Sequence, residues 1–235
     1  MRPVRIESYS DYLEIVDSFS MKGSVSNDYL QREAEHLVSN EQLYCICGSK
    51  NAFLLVKKEG FWRVYYYIND FEETIDLGDG IFVTEILYRG TLGEPVEEVS
   101  YLQKCGFHKH ILRDQYSAKY SDLSIGNNNS SAIVGEASSL DEVKWAVNLF
   151  NSVFDKWSGD FISPSRINEL LESGAILIAK DETGRLLGAF ESDVDKNVNW
   201  LRHFAIEESA RGKGIGKLLF DAVIEKGHVD DKSRY

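Results

Sequence analysis

The sequence is short of cysteine, of positive charge and of long apolar runs, and each shortage excludes something. Three cysteines (Cys45, Cys47 and Cys105) form an odd set without a disulfide framework, so they read as reduced thiols in a cytoplasm. Cys45 and Cys47 lie two apart in a strand-like run and would share one face, but two ligands do not make a structural zinc site. His108 and His110 are also two apart, and no third ligand accompanies them, so no metal is implied. The 26 basic residues are outnumbered by 38 acidic ones, giving a net charge of −12, which argues against nucleic acid or an anionic membrane as the main partner. It weakly favours a cationic acceptor such as an amine. No apolar run is long enough to span a bilayer, and Met1-Arg2-Pro3 opens no signal peptide.

What is present suffices for a packed core. Hydrophobic residues make up 43% and charged residues 27% of 235 positions, enough for one large domain or two small ones. Taken in order, Pro3 to Ser8 reads as a strand, a helix follows from about Ser10, and Asp28 to Val38 reads as a second helix. Leu43 to Cys47, Ala52 to Val56 and Trp62 to Ile68 are strands separated by turn residues. Tyr65-Tyr66-Tyr67 fits strand propensity better than a stacking platform. Ile81 to Tyr88 and Phe107 to Tyr120 read as further strand material around a helix over Pro95 to Lys104. Gly126 to Ser131 has no apolar residue and is the best linker.

After it the order begins again. Ala132 to Glu136 is a strand, Ser139 with Glu142 is a capping-box pattern opening a helix, and Ser165 to Glu172 is a second helix. Ala175 to Ala179, Leu186 to Glu191 and Val198 to Ile206 are strands. Strand, helix, helix and three strands thus occur twice, offset by roughly 130 residues. The expectation is a tandem pair of α+β domains, 1–125 and 132–235, joined by a linker at 126–131.

The most specific stretch is Ile206 to Lys217, between an apolar strand and an amphipathic helix whose plausible stop is Gly227. Gly212, Gly214 and Gly216 let backbone N–H groups converge, the helix N-terminus adds its partial positive charge, and Arg211, Lys213 and Lys217 add cations. Together these describe an anion site for a phosphate or pyrophosphate, the alternative being an ordinary glycine-rich turn with solvated charges. A P-loop is excluded because Arg211 stands in place of its first glycine and Leu218 in place of its hydroxyl. A dinucleotide fingerprint counted from Gly212 ends on Lys217 instead of glycine.

The pattern that fits is R-x-x-G-x-G, at Arg211, Gly214 and Gly216, and here the chain resembles the acetyl-CoA loop of the GNAT N-acetyltransferase superfamily. The resemblance implies a mixed, mostly antiparallel sheet flanked by helices. It also implies that Arg211, Gly212, Lys213, Gly214, Ile215, Gly216 and Lys217 hold the pyrophosphate of acetyl-CoA as co-substrate, with Phe204, Ala205 and Ile206 along the pantetheine arm. The first half would be a degenerate relative. Its equivalent stretch, Asn69 to Gly80, carries five carboxylates and no Lys or Arg, and would repel a pyrophosphate. It does keep Tyr101 to Phe107, which resembles the back-half Y-x-x-x-G-F signature at wider spacing. Relative to the family pattern the second half stops at Tyr235, before a back-half strand and helix. The expectation is therefore a front half alone, or a reading frame that continues.

The implied reaction is direct attack of a primary amine, of a small molecule or peptide, on the acetyl thioester. For a base, positions 200 and 202 match where relatives carry glutamate or histidine, but Trp200 and Arg202 stand there. His203 is one step out of phase and reaches the cleft only if a bulge shifts the strand. Glu191, ending the neighbouring strand, is the other candidate, and deprotonation through water is a third. Tyr101 matches the thiolate's acid by motif, although it lies in the other half. Trp157, Asp160 and Phe161, with Asp155, would line the acceptor pocket or simply anchor a surface loop. The rival from another class is a non-catalytic acyl-CoA-binding or scaffold protein. A second copy of the chain, as a homodimer, or the first domain is a candidate to cover the exposed sheet edge.

Overall fold

A computed structural model describes residues 2–126, 130–158, 161–195 and 198–232. The chain divides into two compact units, 1–112 and 113–235. The linker expected at 126–131 falls largely on residues 127–129, outside the described residues, and the stretch just before it is held by the second unit. There the Tyr120 hydroxyl donates to the Ile224 carbonyl, and Lys217 Nζ donates to the Gly126 carbonyl at 3.1 Å.

The first unit runs β1 (Val4–Arg5), α1 (Tyr9–Phe19), β2 (Val25–Ser26), α2 (Ala34–Ser39), β3 (Leu43–Cys47), β4 (Ala52–Lys58), β5 (Phe61–Ile68), β6 (Phe82–Val83) and α3 (Val96–Lys104). Its sheet order is β1-β3-β4-β5-β2, with β6 parallel to β5 and the other pairs antiparallel. The second unit runs β7 (Ile133–Glu136), α4 (Leu140–Val153), α5 (Ile167–Glu172), β8 (Ile176–Lys180), β9 (Leu186–Asp195), β10 (Val198–Ile206) and α6 (Ile215–Lys232). Its four strands lie in the order β7-β8-β9-β10, all antiparallel. The expected succession of strand, helix, helix and three strands is present in the second unit, whereas in the first the short strand β2 intervenes between the two helices; each unit is α+β with a mostly antiparallel sheet flanked by helices. Among the described residues no helix is long and apolar enough to cross a membrane.

Alternation along the strands sorts the second unit's side chains into two layers. Ile176, Ile178, Ala189 and Ala205 face α4 and α5, packing on Val143, Val147, Phe150 and Leu170. Leu177, Ala179 and Phe190 face α6, packing on Ile215, Leu219 and Val223. Ser139 caps α4, its hydroxyl accepting from Glu142 N at 3.3 Å. The reciprocal contact is displaced by one residue, since the Glu142 carboxylate accepts from Ser138 N at 2.9 Å.

Four expectations are revised by particular contacts. The strand expected over Ile81 to Tyr88 shrinks to Phe82–Val83 because Asn27 occupies the adjoining edge of β5. Asn27 Oδ1 accepts from Tyr66 N at 2.9 Å, and its Nδ2 donates to Glu85 O at 2.7 Å. Phe107 to Tyr120 forms no strand up to Lys119; from His108 onward its residues are exposed and charged groups interrupt any apolar face, so pairing would bury little. The helix expected from Asp28 begins as a 3₁₀ turn, Leu30–Arg32, with Asp28 Oδ1 accepting from Leu30 N at 2.8 Å. Finally, α6 does not stop at Gly227. A Cβ there would lie 2.7 Å from Asn199 Nδ2, so this glycine serves close packing of helix on strand.

In the first unit, the acidic stretch Asn69 to Gly80 is put to structural use. Glu73 accepts from the backbone N–H groups of Ser49, Lys50 and Asn51 at 2.6, 2.9 and 2.9 Å, and from the Ser49 hydroxyl at 2.6 Å. Burial pushes its pKa upward, but these hydrogen bonds prevail and hold it below the ordinary glutamate value. Gly48 makes room, since a Cβ on it would sit 2.9 Å from the Glu73 carboxyl carbon.

Candidate active site

The turn between β10 and α6 is anchored at both ends by the α6-side core. Glu207 N donates to Leu187 O at 2.9 Å, which stitches the end of β10 to β9. A 3₁₀ turn over Glu208–Ala210 follows, and Ala210 and Ile215 are buried while Arg211, Gly212, Lys213 and Gly214 between them are exposed. Gly212 and Gly214 have φ of +75° and +78°, a region that L side chains avoid. Gly216 seats the helix against the strand, because a Cβ on it would lie 3.1 Å from Phe204 Cζ. Phe204 is half-exposed, with its ring 4.7 Å from that of Phe190; Ala205 is buried toward α4. Helix geometry leaves the first N–H groups of α6 without intrahelical acceptors, directed at the exposed turn.

The cations around the turn differ in what they do. Arg211 is exposed and its Nε donates to Ile206 O at 3.2 Å, which keeps the guanidinium beside the end of β10. Lys213 is exposed. Lys217 is committed elsewhere, with Nζ 2.5 Å from Asp221 Oδ2 in addition to its bond to Gly126. Sequence reasoning missed the wall opposite this turn. A cleft of about 450 Å³ separates Trp145, Leu149 and Val153 of α4 from Ile206, Glu207 and Arg211. The signal was available, since Trp145, Leu149 and Val153 recur at helical spacing.

Both base candidates are brought together. His203 Nδ1 is 2.5 Å from Glu191 Oε2, and both residues are buried among the α4-facing side chains, at 8% and 2% exposure. The ring of His203 stacks on Phe150 at 5.4 Å and meets Phe154 edge-on at 5.1 Å. The register of β10 against β9 slips between Leu201 and His203, which pair with Ser192 and Glu191, so Arg202 is an extra residue. This bulge puts His203 on the face of Glu191. Arg166, from the 3₁₀ turn Pro164–Arg166 ahead of α5, reaches over Glu191 with Nη2 3.4 Å from Oε1.

The acceptor-loop candidates are described only in part. Trp157 N donates to Asp155 Oδ1 at 2.6 Å, and Lys156 Nζ lies 5.4 Å from the Trp157 ring centroid. Phe161 is 42% exposed, and Asp160 lies outside the described residues. Asn151 pins the end of this loop by bonding both backbone polar groups of Ile162 at 3.0 Å, a role sequence reasoning did not foresee. Tyr101 belongs to the core of the first unit. Its hydroxyl accepts from Asn51 Nδ2 at 3.0 Å, and burial raises its pKa. Among the described residues there is no group of three or more His, Cys, Asp or Glu able to hold a metal ion.

Residues 135–234 match the family model described as the acetyltransferase (GNAT) domain. No curated protein matches the chain significantly. Among solved structures, a GCN5-related glucosamine N-acetyltransferase region of a fungal multi-domain GH3 β-N-acetylglucosaminidase is 25% identical, with a TM-score of 0.32 over 41% of this chain and 12% of that one. The structure of L-PGS from Bacillus licheniformis is 11% identical, with a TM-score of 0.37 over 86% of this chain and 70% of that one. Both TM-scores lie below 0.5.

Proposed function

Taking residues 135–234 as the GNAT acetyltransferase domain that they match, we propose that the chain moves an acetyl group from acetyl-CoA to a primary amine by direct attack. The observation that carries this reading is the turn with Gly212 and Gly214 at positive φ, open to solvent and set directly before an 18-residue helix. Such a turn has the donors, the absent side chains and the partial positive charge that a diphosphate needs. Arg211 and Lys213 supply exposed cations around it. Lys217 contributes field more than contact, since its ammonium is already paired. The cleft between α4 and Arg211 leads away from the turn, with Trp145, Leu149 and Val153 on one wall and the polar Asn148, Ser152 and Glu208 also lining it.

Acetyl-CoA supplies the acyl group in activated form, as a thioester. The chain's own groups supply the rest. Glu191 and His203 form a carboxylate–imidazole pair suited to taking a proton from the acceptor ammonium. The amine nitrogen then bonds to the acyl carbon as the carbon–sulfur bond breaks. Of the two protons lost from the acceptor ammonium, one ends on the leaving sulfur and one in solvent. As the edge strand of its sheet, β10 directs part of its backbone polar groups away from β9, and an N–H near Phe204 to Ile206 is suited to the carbonyl oxygen. Trp157 and Phe161 would wall the acceptor.

The reading extends to the first unit as a degenerate relative serving as platform, supported by an element order that matches apart from β2. The test of catalysis is thiol release from acetyl-CoA with a panel of amines, run beside calorimetric titration of CoA. Turnover supports the proposal. Tight CoA binding without turnover by any amine would favour a non-catalytic acyl-CoA-binding protein, and an absence of CoA binding would end both readings.

A further inference from the structure

We infer that the acceptor carries a carboxylate beside its amine, as an α- or β-amino acid does, and that Arg166 selects it; this rests on the acetyl-transfer reading above. Arg166 is a cation in contact with the Glu191–His203 pair, and it is held loosely. Its Nη2 is 3.4 Å from Glu191 Oε1 and its Nε 3.8 Å from Glu169 Oε2, both longer than a charge-assisted hydrogen bond of about 2.7–2.9 Å. By contrast Lys180 and Glu142, an ion pair of the same unit, meet at 2.6 Å. Nη1 of Arg166 has no partner among the described residues. A guanidinium offers five N–H donors in a planar fork suited to a carboxylate. Here that fork is 43% exposed, while the Glu191 side chain beneath it is 3% exposed. Arg166 is therefore placed to meet a ligand arriving from solvent before the ligand meets Glu191.

The spacing narrows the chemistry. Arg166 and His203 approach the two oxygens of one carboxylate, Oε1 and Oε2 of Glu191. An amine giving its proton to this pair thus holds its neighbouring atoms within reach of the guanidinium. An anionic group one or two carbons from the nitrogen meets Arg166, whereas a second ammonium at that distance would be repelled. On the same sheet face Trp200 is 37% exposed and paired in register with Asp193, and the Arg202 guanidinium lies 5.3 Å from its ring centroid, so an aromatic ring and a second cation border the rest of the acceptor.

The test uses the full chain saturated with acetyl-CoA and compares neutral L-amino acids with their carboxamides and their decarboxylated amines. At least one amino acid should exceed both analogues tenfold or more in kcat/KM. Arg166→Gln should reduce that preference to within threefold, mainly through KM, and Arg166→Lys should restore part of it. Equal rates for acid, amide and amine, or a preference that survives Arg166→Gln, would overturn the inference. Calorimetric binding of the same ligands to the CoA-saturated chain covers the case of no turnover, in which binding independent of the carboxylate, or no binding, also overturns it. Failure of CoA itself to bind would instead identify the acetyl-transfer reading as the part that is wrong. Circular dichroism of both variants guards against misfolding.

Discussion

His203 Nδ1 lies 2.5 Å from Glu191 Oε2, and the pair exists because Arg202 is an extra residue in β10. Were Arg202 instead paired in regular register after Leu201, it would stand opposite Glu191, and His203 would fall opposite Phe190 on the α6 face. Glu191→Gln and His203→Asn should each lower kcat by about 10²–10⁴ while leaving CoA affinity within a few-fold, because neither residue adjoins the glycine turn. Thiol release and calorimetric titration of the same preparations check both halves of this expectation.

Gly214 tests the turn itself. Its φ of +78° disfavours any side chain, and Gly214→Glu adds a carboxylate where a diphosphate would rest. CoA affinity should fall by at least about tenfold, the equivalent of about 1.4 kcal/mol. Lys217→Ala should cost less than about threefold, since that ammonium already serves Asp221 and Gly126. Unchanged affinity in Gly214→Glu would remove the site assignment.

Gly188 bears on the alignment of the strand that feeds the turn. A Cβ there would lie 2.5 Å from Ile206 Cδ1, 3.1 Å from the Ala205 carbonyl oxygen and 3.2 Å from Leu219 Cδ1. One of these atoms is backbone, so rotamer change alone cannot relieve the clash. Gly188→Ala should destabilise the second unit by about 1–3 kcal/mol in urea titrations, with weaker CoA binding as a consequence.

Acid should weaken the second unit through Glu142. Its carboxyl is held below the ordinary glutamate value, first by the hydrogen bond from Lys180 and next by that from Ser138 N. With the folded pKa below the unfolded one, the stabilisation is present above the unfolded value of about 4.3 and is lost as pH falls through the folded one. Between neutral pH and about pH 3, the wild type should lose more stability than Glu142→Gln, measured as the shift in urea midpoint.

What could be read in advance depended on whether a residue's role was decided locally. The apolar runs Leu43–Cys47 and, ahead of Lys180, Ile176 to Ala179 declare themselves because burial on both faces leaves little room for charged residues. The glycine turn was readable because three absent side chains within five positions require a backbone explanation. The truncation of β6 was not, since it is decided by the Asn27 amide some 57 positions away from Thr84. The bulge at Arg202 could be named as a condition for His203 but not located, because an inserted residue leaves no mark in a single sequence. Arg166 was overlooked for the same reason, its partner Glu191 being 25 residues distant and on another element.

The carboxylate of Glu73, clasped by the amides after Gly48, gives the first unit a resident anion of its own. A tether holds that anion at an effective concentration that dissolved phosphates must exceed to displace it, typically millimolar or above. Heating the chain with coenzyme A should therefore raise one melting transition and leave the other where it was, so that a single calorimetric trace reports which half of the polypeptide answers to the nucleotide.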